Sequence, residues 1–409
     1  MKNITKWGGI MVQASINFKK MINPVIKRVE WAKRHNYYFY MRNIESFCGP
    51  RVKINGKEMI MLGSNNYLGL TNHPKVKEAV IKAVKKYGVG SGGSRLLNGT
   101  YTLHEELERD IAKFKGTEAA IVFNTGFMTN LGAIIFLVNE DSVVINDEKN
   151  HASIVDGSRF SMAKIRVFLH NDMKYLENIL ASYPKPQDKL IIVDSVYSMD
   201  GDIANLPEIY KLATRYKARM MIDEAHATGV LGKTGHGAPE HFNLTGKIDI
   251  VMGTFSKATG GLGGFIATTK DVVTYLKHVS REFITSTSFP PAIAAGNIAA
   301  IKVIQDEPHL LKELWRNIKH MKEGLKSLGY DTGNSDSAII PVLIRDEIKA
   351  FKIAQILDKA GIFINPVIFP VVKKSESMIR VSIMASHSLA DLDMALEAFK
   401  KAGKKIGLI

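Results

Sequence analysis

Seven short apolar segments, most of them separated by stretches with helical spacing, constrain the fold of this chain more than any other feature. They are residues 119–123, 142–146, 164–168, 189–194, 219–223, 249–253 and 264–269. Near-continuous apolar strands that alternate with helices are typical of a largely parallel sheet covered on both faces. The sequence therefore predicts an α/β fold, and ligands of such sheets bind at the carboxyl ends of the strands.

The same patterns divide the chain into three predicted parts. Residues 1–60 combine an amphipathic helical stretch with a hairpin signal at Asn55-Gly56. Residues 61–300 hold the apolar segments and form the large ligand-binding domain. Residues 301–409 contain strand-like stretches at 338–344, 362–367 and 378–383, with helices between and after them, which predict a smaller α+β domain.

Composition and charge narrow the classes of function. A single cysteine, Cys48, excludes an internal disulfide and fits a reducing cytoplasm. The net charge of +15 is dispersed over the chain, so nucleic acid is not an expected partner, whereas an anionic ligand is. For the basic, amphipathic N-terminal stretch we expect packing against the body or a second subunit, with peripheral contact to an anionic membrane as the alternative.

A single lysine, Lys257, follows the sixth apolar segment and precedes four glycines within seven residues, ATGGLGG. Glycines allow other groups to approach the amine closely. A partly desolvated lysine amine has a lowered pKa and can form a Schiff base. Taken alone, such a lysine is more often a solvated loop residue, so the interpretation depends on its neighbours.

Polar residues follow the other strand ends as well. The segment NTGF (124–127) precedes a helical stretch, and free N–H groups at a helix start bind phosphate. His151 follows the second segment, where an imidazole can stack on a flat cofactor, and Ser198 follows the fourth. Thr254 and Ser256 are suited to hydrogen bonds with a phosphate or with ring substituents.

Asp223 ends a buried strand, where a carboxylate requires a partner. A pyridinium nitrogen would serve, because the ion pair keeps the ring protonated and makes it an electron sink. A metal held by Asp223, Glu224 and His226 is the less favoured alternative, since no third well-spaced ligand appears. We therefore expect no metal.

From about residue 38 to its end, the chain resembles the α-oxoamine synthase family of pyridoxal-phosphate enzymes, which have the aspartate-aminotransferase fold. The resemblance is carried by the ordered motifs SNNYLGL, GSGGSRLLNGT, NTGF, NDEKNHASIVDG, SVYSMDGDIANL, IDEAHATGVLG, GTFSKATGG, TSTSFPPA and MIRVSIMASHS. It implies a type I fold with pyridoxal 5'-phosphate as cofactor.

The resemblance also implies a role for each matching residue. Lys257 would hold the cofactor and act as the base, Asp223 would pair with the ring nitrogen, and His151 would stack on the ring. The other implied contacts are His226 and Ser198 near the 3'-oxygen; Gly126, Phe127, Thr254 and Ser256 at the phosphate; Ser286 and Thr287 at the phosphate of a neighbouring subunit; and Arg380, Tyr67 and either Asn65 or Asn66 at the amino-acid substrate. Shared sites of this kind imply a homodimer.

The reaction implied by the resemblance is a decarboxylative condensation of an amino acid with an acyl-CoA, giving an α-amino ketone. The stretches GPRVKINGKEMIMLGSNNYLGLTNHP, SRLLNGT, EPHLLKELW and GIFINPVIFPVV are most similar to the serine palmitoyltransferase branch, which uses L-serine and palmitoyl-CoA. The residues ATGGLGG and the ending GKKIGLI are closer to glycine-using branches. Glycine C-acetyltransferase and 8-amino-7-oxononanoate synthase, which uses alanine and pimeloyl-CoA, therefore stay open as alternatives.

Overall fold

A computed structural model describes residues 4–183 and 186–409, with side chains from residue 18 onward. The strands are β1 (Arg51–Ile54), β2 (Lys57–Met61), β3 (Ala119–Phe123), β4 (Val143–Asp147), β5 (Lys164–Phe168), β6 (Lys189–Asp194), β7 (Arg219–Asp223), β8 (Ile250–Thr254), β9 (Gly264–Thr268), β10 (Ile339–Leu343), β11 (Ile362–Phe363), β12 (Asn365–Val367) and β13 (Met378–Ser382). The helices are α1 (Ile4–Arg34), α2 (Pro74–Tyr87), α3 (Thr102–Lys115), α4 (Gly126–Leu137), α5 (Ala152–Phe160), α6 (Met173–Ala181), α7 (Leu206–Tyr216), α8 (Ala238–His241), α9 (Lys270–Val279), α10 (Arg281–Ile284), α11 (Pro291–Asp306), α12 (His309–Ser327), α13 (Glu347–Lys359) and α14 (Leu389–Ile406).

The seven predicted segments form one sheet in the order β3-β9-β8-β7-β6-β4-β5. β9 runs antiparallel to both of its neighbours, and every other pair in the sheet is parallel. The prediction of a mostly parallel α/β sheet is confirmed. β3 and β5 are the edge strands, and they differ: four of the five residues of β3 are buried, whereas four of the five residues of β5 are not.

Helices cover the sheet on both faces, as the apolar pattern predicts. Along β3, Ala120 and Val122 pack in the cluster that contains α3, whereas Ile121 and Phe123 pack in the cluster that contains α4 and α9. Successive side chains of a strand point to opposite faces, so a strand buried on both sides must be apolar at every position. This two-sided burial holds the strand ends in fixed positions.

A second, antiparallel sheet with the order β10-β13-β12 lies in the C-terminal part of the chain. The predicted single strand at 362–367 is split, because the chain changes sheets at Ile364. β11 pairs in parallel with β2 of the N-terminal hairpin, while β12 pairs with β13. The hairpin turn has left-handed φ angles of 49° at Asn55 and 73° at Gly56, which this residue pair adopts readily.

Among the described side chains, those near the C-terminal end of α1 pack against α13 and the residues around it. Trp31 and Tyr37 lie against Phe351 of α13, with ring centroids 6.4 and 4.8 Å apart. Further toward the N-terminus the helix exposes an apolar row consisting of Phe18, Met21, Ile22, Val25 and Ile26. In the part of the chain that is described, no helix has both the length and the apolar character needed to span a bilayer.

Candidate active site

A cavity of about 340 Å³ lies at the carboxyl ends of β6, β7 and β8, beside the N-terminus of α4. Its walls are Thr125, Gly126, Phe127, Asn130, His151, Ser153, Asp194, Ser198, Asp223, Ala225, His226, Met252, Thr254, Ser256, Lys257 and Leu262. The cavity brings together every predicted cofactor contact except Ser286 and Thr287.

Lys257 lies in the turn after β8, with its amine in the cavity. The Lys257 Nζ is 2.7 Å from His226 Nε2. Burial lowers the pKa of the Lys257 amine to about 8; the Asp223 carboxylate opposes this shift and the Arg380 charge adds to it. A cluster of glycines follows, and at Gly260 (φ 69°) an added Cβ would lie 2.5 Å from the main-chain nitrogen of Thr71, so the turn packs too closely for a side chain.

A row of hydrogen bonds connects Lys257 to Arg380. The Tyr67 hydroxyl lies 2.7 Å from His226 Nδ1 and donates to Asn65 Oδ1 at 3.1 Å. Both Nη groups of Arg380 donate to the same Asn65 oxygen at 3.2 Å. Burial, then the nearby charges of Lys257 and Arg380, lower the pKa of His226 well below its ordinary value. A neutral His226 that accepts from the lysine amine must donate from its other nitrogen, and Tyr67 is its partner there.

Asp223 ends β7 and points into the cavity. Its Oδ2 accepts from Asn130 Nδ2 at 2.8 Å, and its Oδ1 accepts from the Ala225 N–H at 2.8 Å. The same Asn130 amide donates to Ser153 Oγ at 2.8 Å. Sequence reasoning missed Asn130, although it lies on the first turns of the helix that begins at the NTGF segment.

His151 precedes α5, and a second buried carboxylate holds its main chain. The His151 N–H donates to Asp194 Oδ2 at 2.8 Å, and its Nδ1 lies 2.7 Å from Ser153 Oγ. Burial, reinforced by the Asp223 charge, raises the pKa of Asp194 well above its ordinary value. Sequence reasoning also missed Asp194, which ends a buried apolar strand just as Asp223 does.

The N-terminus of α4 forms one end of the cavity. Thr125 caps the helix by accepting from the Met128 N–H at 3.1 Å. The N–H groups of Gly126 and Phe127 lie in the first helical turn, where backbone donors have no acceptor within the helix. A Cβ at Gly126 would lie 3.0 Å from Thr254 Oγ1, so glycine keeps this space open for an anion.

None of the four predicted substrate contacts lines the cavity itself. Asn65 and Arg380 lie at the end of the hydrogen-bonded row that starts from Lys257. Asn66 and Tyr67 do not face the cavity either. Asn66 Nδ2 donates to the carbonyl of Cys48 at 2.9 Å and to Thr71 Oγ1 at 2.8 Å, so of the two asparagines Asn65 is the one that faces Arg380. Tyr67 is fully buried behind His226 and does not line the cavity.

Ser286 and Thr287 also lie outside the cavity of their own chain. Asn124 Nδ2 donates to Ser286 Oγ at 2.9 Å and to the Thr287 carbonyl at 2.5 Å. This contact holds the segment beside the strand end that leads into the N-terminus of α4. Their expected contact with a neighbouring subunit stays a prediction.

Glu224 does not join its neighbour Asp223. Its carboxylate accepts from Lys115 Nζ at 3.2 Å and from the Ala238 N–H at 3.1 and 3.2 Å, on the far side of the strand end. Among the described residues there is no group of three or more His, Cys, Asp and Glu that could hold a metal ion.

Comparison with known proteins identifies close relatives. The family model described as aminotransferase class I and II matches residues 57–399. An 8-amino-7-oxononanoate synthase from Thermoanaerobacter pseudethanolicus is 47% identical over 384 residues, which cover 94% of this chain and 97% of the relative. A serine palmitoyltransferase from Bacteriovorax stolpii is 45% identical over 381 residues, covering 93% and 91%. Among solved structures, a variant of serine palmitoyltransferase from S. paucimobilis with a bound PLP–myriocin aldimine has a TM-score of 0.93 at 35% identity, covering 96% of this chain and 99% of that one.

Pyridoxal phosphate is the cofactor of this group of enzymes, and the donor set of the cavity fits it. The space kept open by Gly126 at the N-terminus of α4 suits a phosphate. The Asp223 carboxylate suits a protonated ring nitrogen, and the desolvated Lys257 amine suits an aldehyde.

Proposed function

The chain belongs to the α-oxoamine synthase family of pyridoxal-phosphate enzymes, and we propose that it condenses L-serine with palmitoyl-CoA to give 3-ketodihydrosphingosine, coenzyme A and CO2. The observation that carries the reaction class is the hydrogen-bonded row from Lys257 through His226, Tyr67 and Asn65 to Arg380. It places a desolvated amine at one end and a guanidinium at the other, as deprotonation of an amino acid held by its carboxylate requires.

In this proposal different cavity residues bind different parts of the cofactor. Gly126, Phe127, Thr254 and Ser256 bind the phosphate, and His151 stacks on the ring. Asp223 pairs with the ring nitrogen, with Asn130 fixing its carboxylate. His226 and Ser198 lie toward the 3'-oxygen. When bound, the cofactor supplies an electron sink that stabilises negative charge at the substrate α-carbon.

Lys257 is the base in this proposal. Its pKa of about 8 leaves an appreciable neutral fraction near physiological pH, so Nζ takes the α-proton of the substrate. The neutral His226 ring, 2.7 Å away, orients the amine without adding a second positive charge.

Arg380 binds the substrate carboxylate. Its Nε–H is used on the Ser198 carbonyl at 2.6 Å, which fixes the plane of the guanidinium. The two Nη groups that share the Asn65 oxygen form a fork, and a substrate carboxylate takes the place of that oxygen in this proposal.

The choice of serine and palmitoyl-CoA rests on the four stretches similar to serine palmitoyltransferases, on the 45% identical relative and on the structural match. Alanine and pimeloyl-CoA are the second candidate pair, which the 47% identical 8-amino-7-oxononanoate synthase favours. The ATGGLGG sequence, which is closer to glycine-using branches, makes glycine and acetyl-CoA the third candidate pair.

Release of coenzyme A by the purified holoenzyme separates these candidates. Serine, alanine and glycine are each paired with acetyl-, pimeloyl- and palmitoyl-CoA. We expect the highest kcat/KM with serine and palmitoyl-CoA. A preference for alanine with pimeloyl-CoA or for glycine with acetyl-CoA would replace the proposal by the corresponding alternative.

We further propose a homodimer in which Ser286 and Thr287 reach the cofactor phosphate of the other subunit. Both residues lie outside the cavity of their own chain, which supports this arrangement. Mixed dimers of a Lys257→Ala subunit with a Ser286→Ala/Thr287→Ala subunit would test it. If sites are shared, one site of the mixed dimer carries both defects and the other carries none, so activity returns on mixing.

The enzyme acts in the cytoplasm in this proposal, with the exposed row of α1 touching the anionic membrane into which a lipid product partitions. Phe18, Met21 and Val25 are each more than half exposed and lie next to Lys19 and Lys20. Sedimentation with phosphatidylglycerol vesicles, with and without residues 1–30, checks this contact. Equal binding by both forms would refute it.

A further inference from the structure

We propose that an apolar groove between α1 and α13 binds the acyl chain of the acyl-CoA substrate. This inference rests on the proposed function, whose second substrate carries a long saturated chain, and it assigns that chain a place in the molecule. We call this space the α1–α13 groove and define it by Val29 and Trp31 of α1, Ile348 and Phe351 of α13, and Phe369 of the loop after β12.

The groove is larger than the cofactor cavity, with a volume of about 500 Å³. Aromatic contacts hold its walls together: Trp31 meets Phe351 edge-on, and the guanidinium of Arg28 lies 6.0 Å from the centre of the Phe369 ring. Ile348 and Phe369 are 43% and 47% exposed, so apolar surface faces the open space. A surface of this kind gains free energy when an apolar ligand covers it.

The groove lies near the active site, with one cavity between the two. This intervening cavity has a volume of about 340 Å³ and shares Ser198 with the cofactor cavity. It shares Met199 and residues 369–371 with the groove. In this proposal the acyl chain passes Ser198 and Met199, the wall residues that the neighbouring cavities share, on its way from the active site to the groove.

Two charged side chains at the rim, Arg28 and Glu347, form hydrogen bonds with the main chain of the loop. Arg28 Nη2 donates to the Phe369 carbonyl at 2.5 Å, and Glu347 Oε1 accepts from the Phe369 N–H at 3.2 Å. A methyl end needs no polar partner, so it suits the apolar walls of the groove. The groove therefore favours a long chain with an apolar end, since each further buried methylene strengthens binding about fourfold.

Trp31 gives a direct test of occupancy that does not depend on turnover. Palmitoyl-CoA with bromine on its terminal carbon is added to the holoenzyme without an amino acid, and tryptophan fluorescence is recorded. We expect quenching that coenzyme A alone and acetyl-CoA do not cause, and loss of this quenching in Trp31→Phe. Quenching that persists in Trp31→Phe, or none at all, would show that the chain lies elsewhere.

A pair of matched variants tests the effect on selectivity. Ile348→Asp places a charge in the groove, and Ile81→Asp makes the same change at a half-exposed position on α2. We expect Ile348→Asp to lower the ratio of kcat/KM for palmitoyl-CoA over octanoyl-CoA on the order of tenfold, with no change in Ile81→Asp. An unchanged ratio in Ile348→Asp would overturn the proposal.

The two tests separate this inference from the proposed function. Turnover of serine with palmitoyl-CoA but no quenching of Trp31 would refute the groove as the acyl-chain site and leave the proposed function supported. Quenching of Trp31 without palmitoyl turnover would refute the proposed function and leave an acyl-binding groove.

Discussion

The cofactor cavity and the α1–α13 groove are built in different ways. The cavity collects side chains from the ends of β6, β7 and β8, where strands buried on both faces fix the positions of groups such as Asp223. The groove collects residues from α1, α13 and a loop, and its walls meet through aromatic contacts and through the hydrogen bonds of Arg28 and Glu347 with the Phe369 main chain. The central sheet fixes the cavity, whereas contacts between α1, α13 and a loop form the groove.

Because of this difference, we expect the cavity residues to determine the rate of the reaction and the groove residues to determine which acyl chain is preferred. In the cavity, removal of one hydrogen-bonded partner leaves a buried polar group unsatisfied, which costs about 1–3 kcal/mol and affects every substrate alike. In the groove, a changed side chain alters only the burial of methylenes, so its effect grows with the length of the acyl chain. Cavity variants should therefore lower turnover with all substrates, and groove variants should change the preference among them.

Loss of the amine in Lys257→Ala should have the largest effect. We expect kcat with every acyl-CoA to fall by about four orders of magnitude or more, because both the covalent anchor and the proposed base are removed. Coenzyme A release and the visible absorbance of the purified holoenzyme measure the two losses. Lys233→Ala, at an exposed lysine, is the control and should match the wild type.

Two buried carboxylates allow a sharper test within the cavity. Asp223→Asn removes the charge proposed to stabilise the ring nitrogen, and we expect kcat to fall on the order of 10²–10³-fold. Asp194→Asn should change kcat little, because burial already holds Asp194 toward its protonated form and an asparagine oxygen still accepts from the His151 N–H. Steady-state coenzyme A release with both variants measures the contrast, and similar losses in the two would refute the distinct role of Asp223.

Arg380→Lys should act on the amino acid and not on the acyl chain. A lysine keeps the charge but loses the planar fork and the contact with the Ser198 carbonyl. We expect KM for serine to rise on the order of tenfold with a smaller change in kcat, and KM for palmitoyl-CoA to stay within about twofold. Arg345→Lys, which changes an exposed ion pair with Asp331, is the matched control.

Most of the sheet and much of the cavity follow from the sequence. Ala119–Phe123 and Lys189–Asp194 coincide with their predicted strands, because a two-sided buried strand is apolar throughout and ends abruptly at polar residues. Lys257, His151 and Asp223 stand at strand ends or just after them, where local pattern is informative. The division of 362–367 between two sheets was missed, although Asn365-Pro366 at the start of the second half is a local signal of a break.

Contacts between distant segments could not be predicted from the sequence. Tyr67 and His226 are 159 residues apart, and a hydrogen bond of this kind has no periodic signature. The groove likewise depends on α1 meeting α13 across more than three hundred residues, as in the contact between Trp31 and Phe351. Asp194 is different: its position at the end of a buried strand was a usable signal, the same one that identified Asp223.

The smallest effect is expected in the row of hydrogen bonds itself. Tyr67→Phe preserves the ring but removes the hydroxyl between His226 and Asn65, so both ends of the row lose orientation. We expect kcat to fall about three- to tenfold, the equivalent of one net hydrogen bond, with KM for palmitoyl-CoA unchanged.

Tyr330→Phe is the matched control. Tyr330 is also a buried tyrosine, and its hydroxyl donates to the Phe399 carbonyl at 2.7 Å. Burial raises the pKa of both tyrosines to about 12. Both variants should lose stability in thermal unfolding, Tyr67→Phe by more, because the Tyr67 hydroxyl has two hydrogen-bond partners and the Tyr330 hydroxyl has one. If kcat falls equally in both, Tyr67 acts only through stability; if it falls in Tyr67→Phe alone, the hydroxyl positions the groups at the two ends of the row.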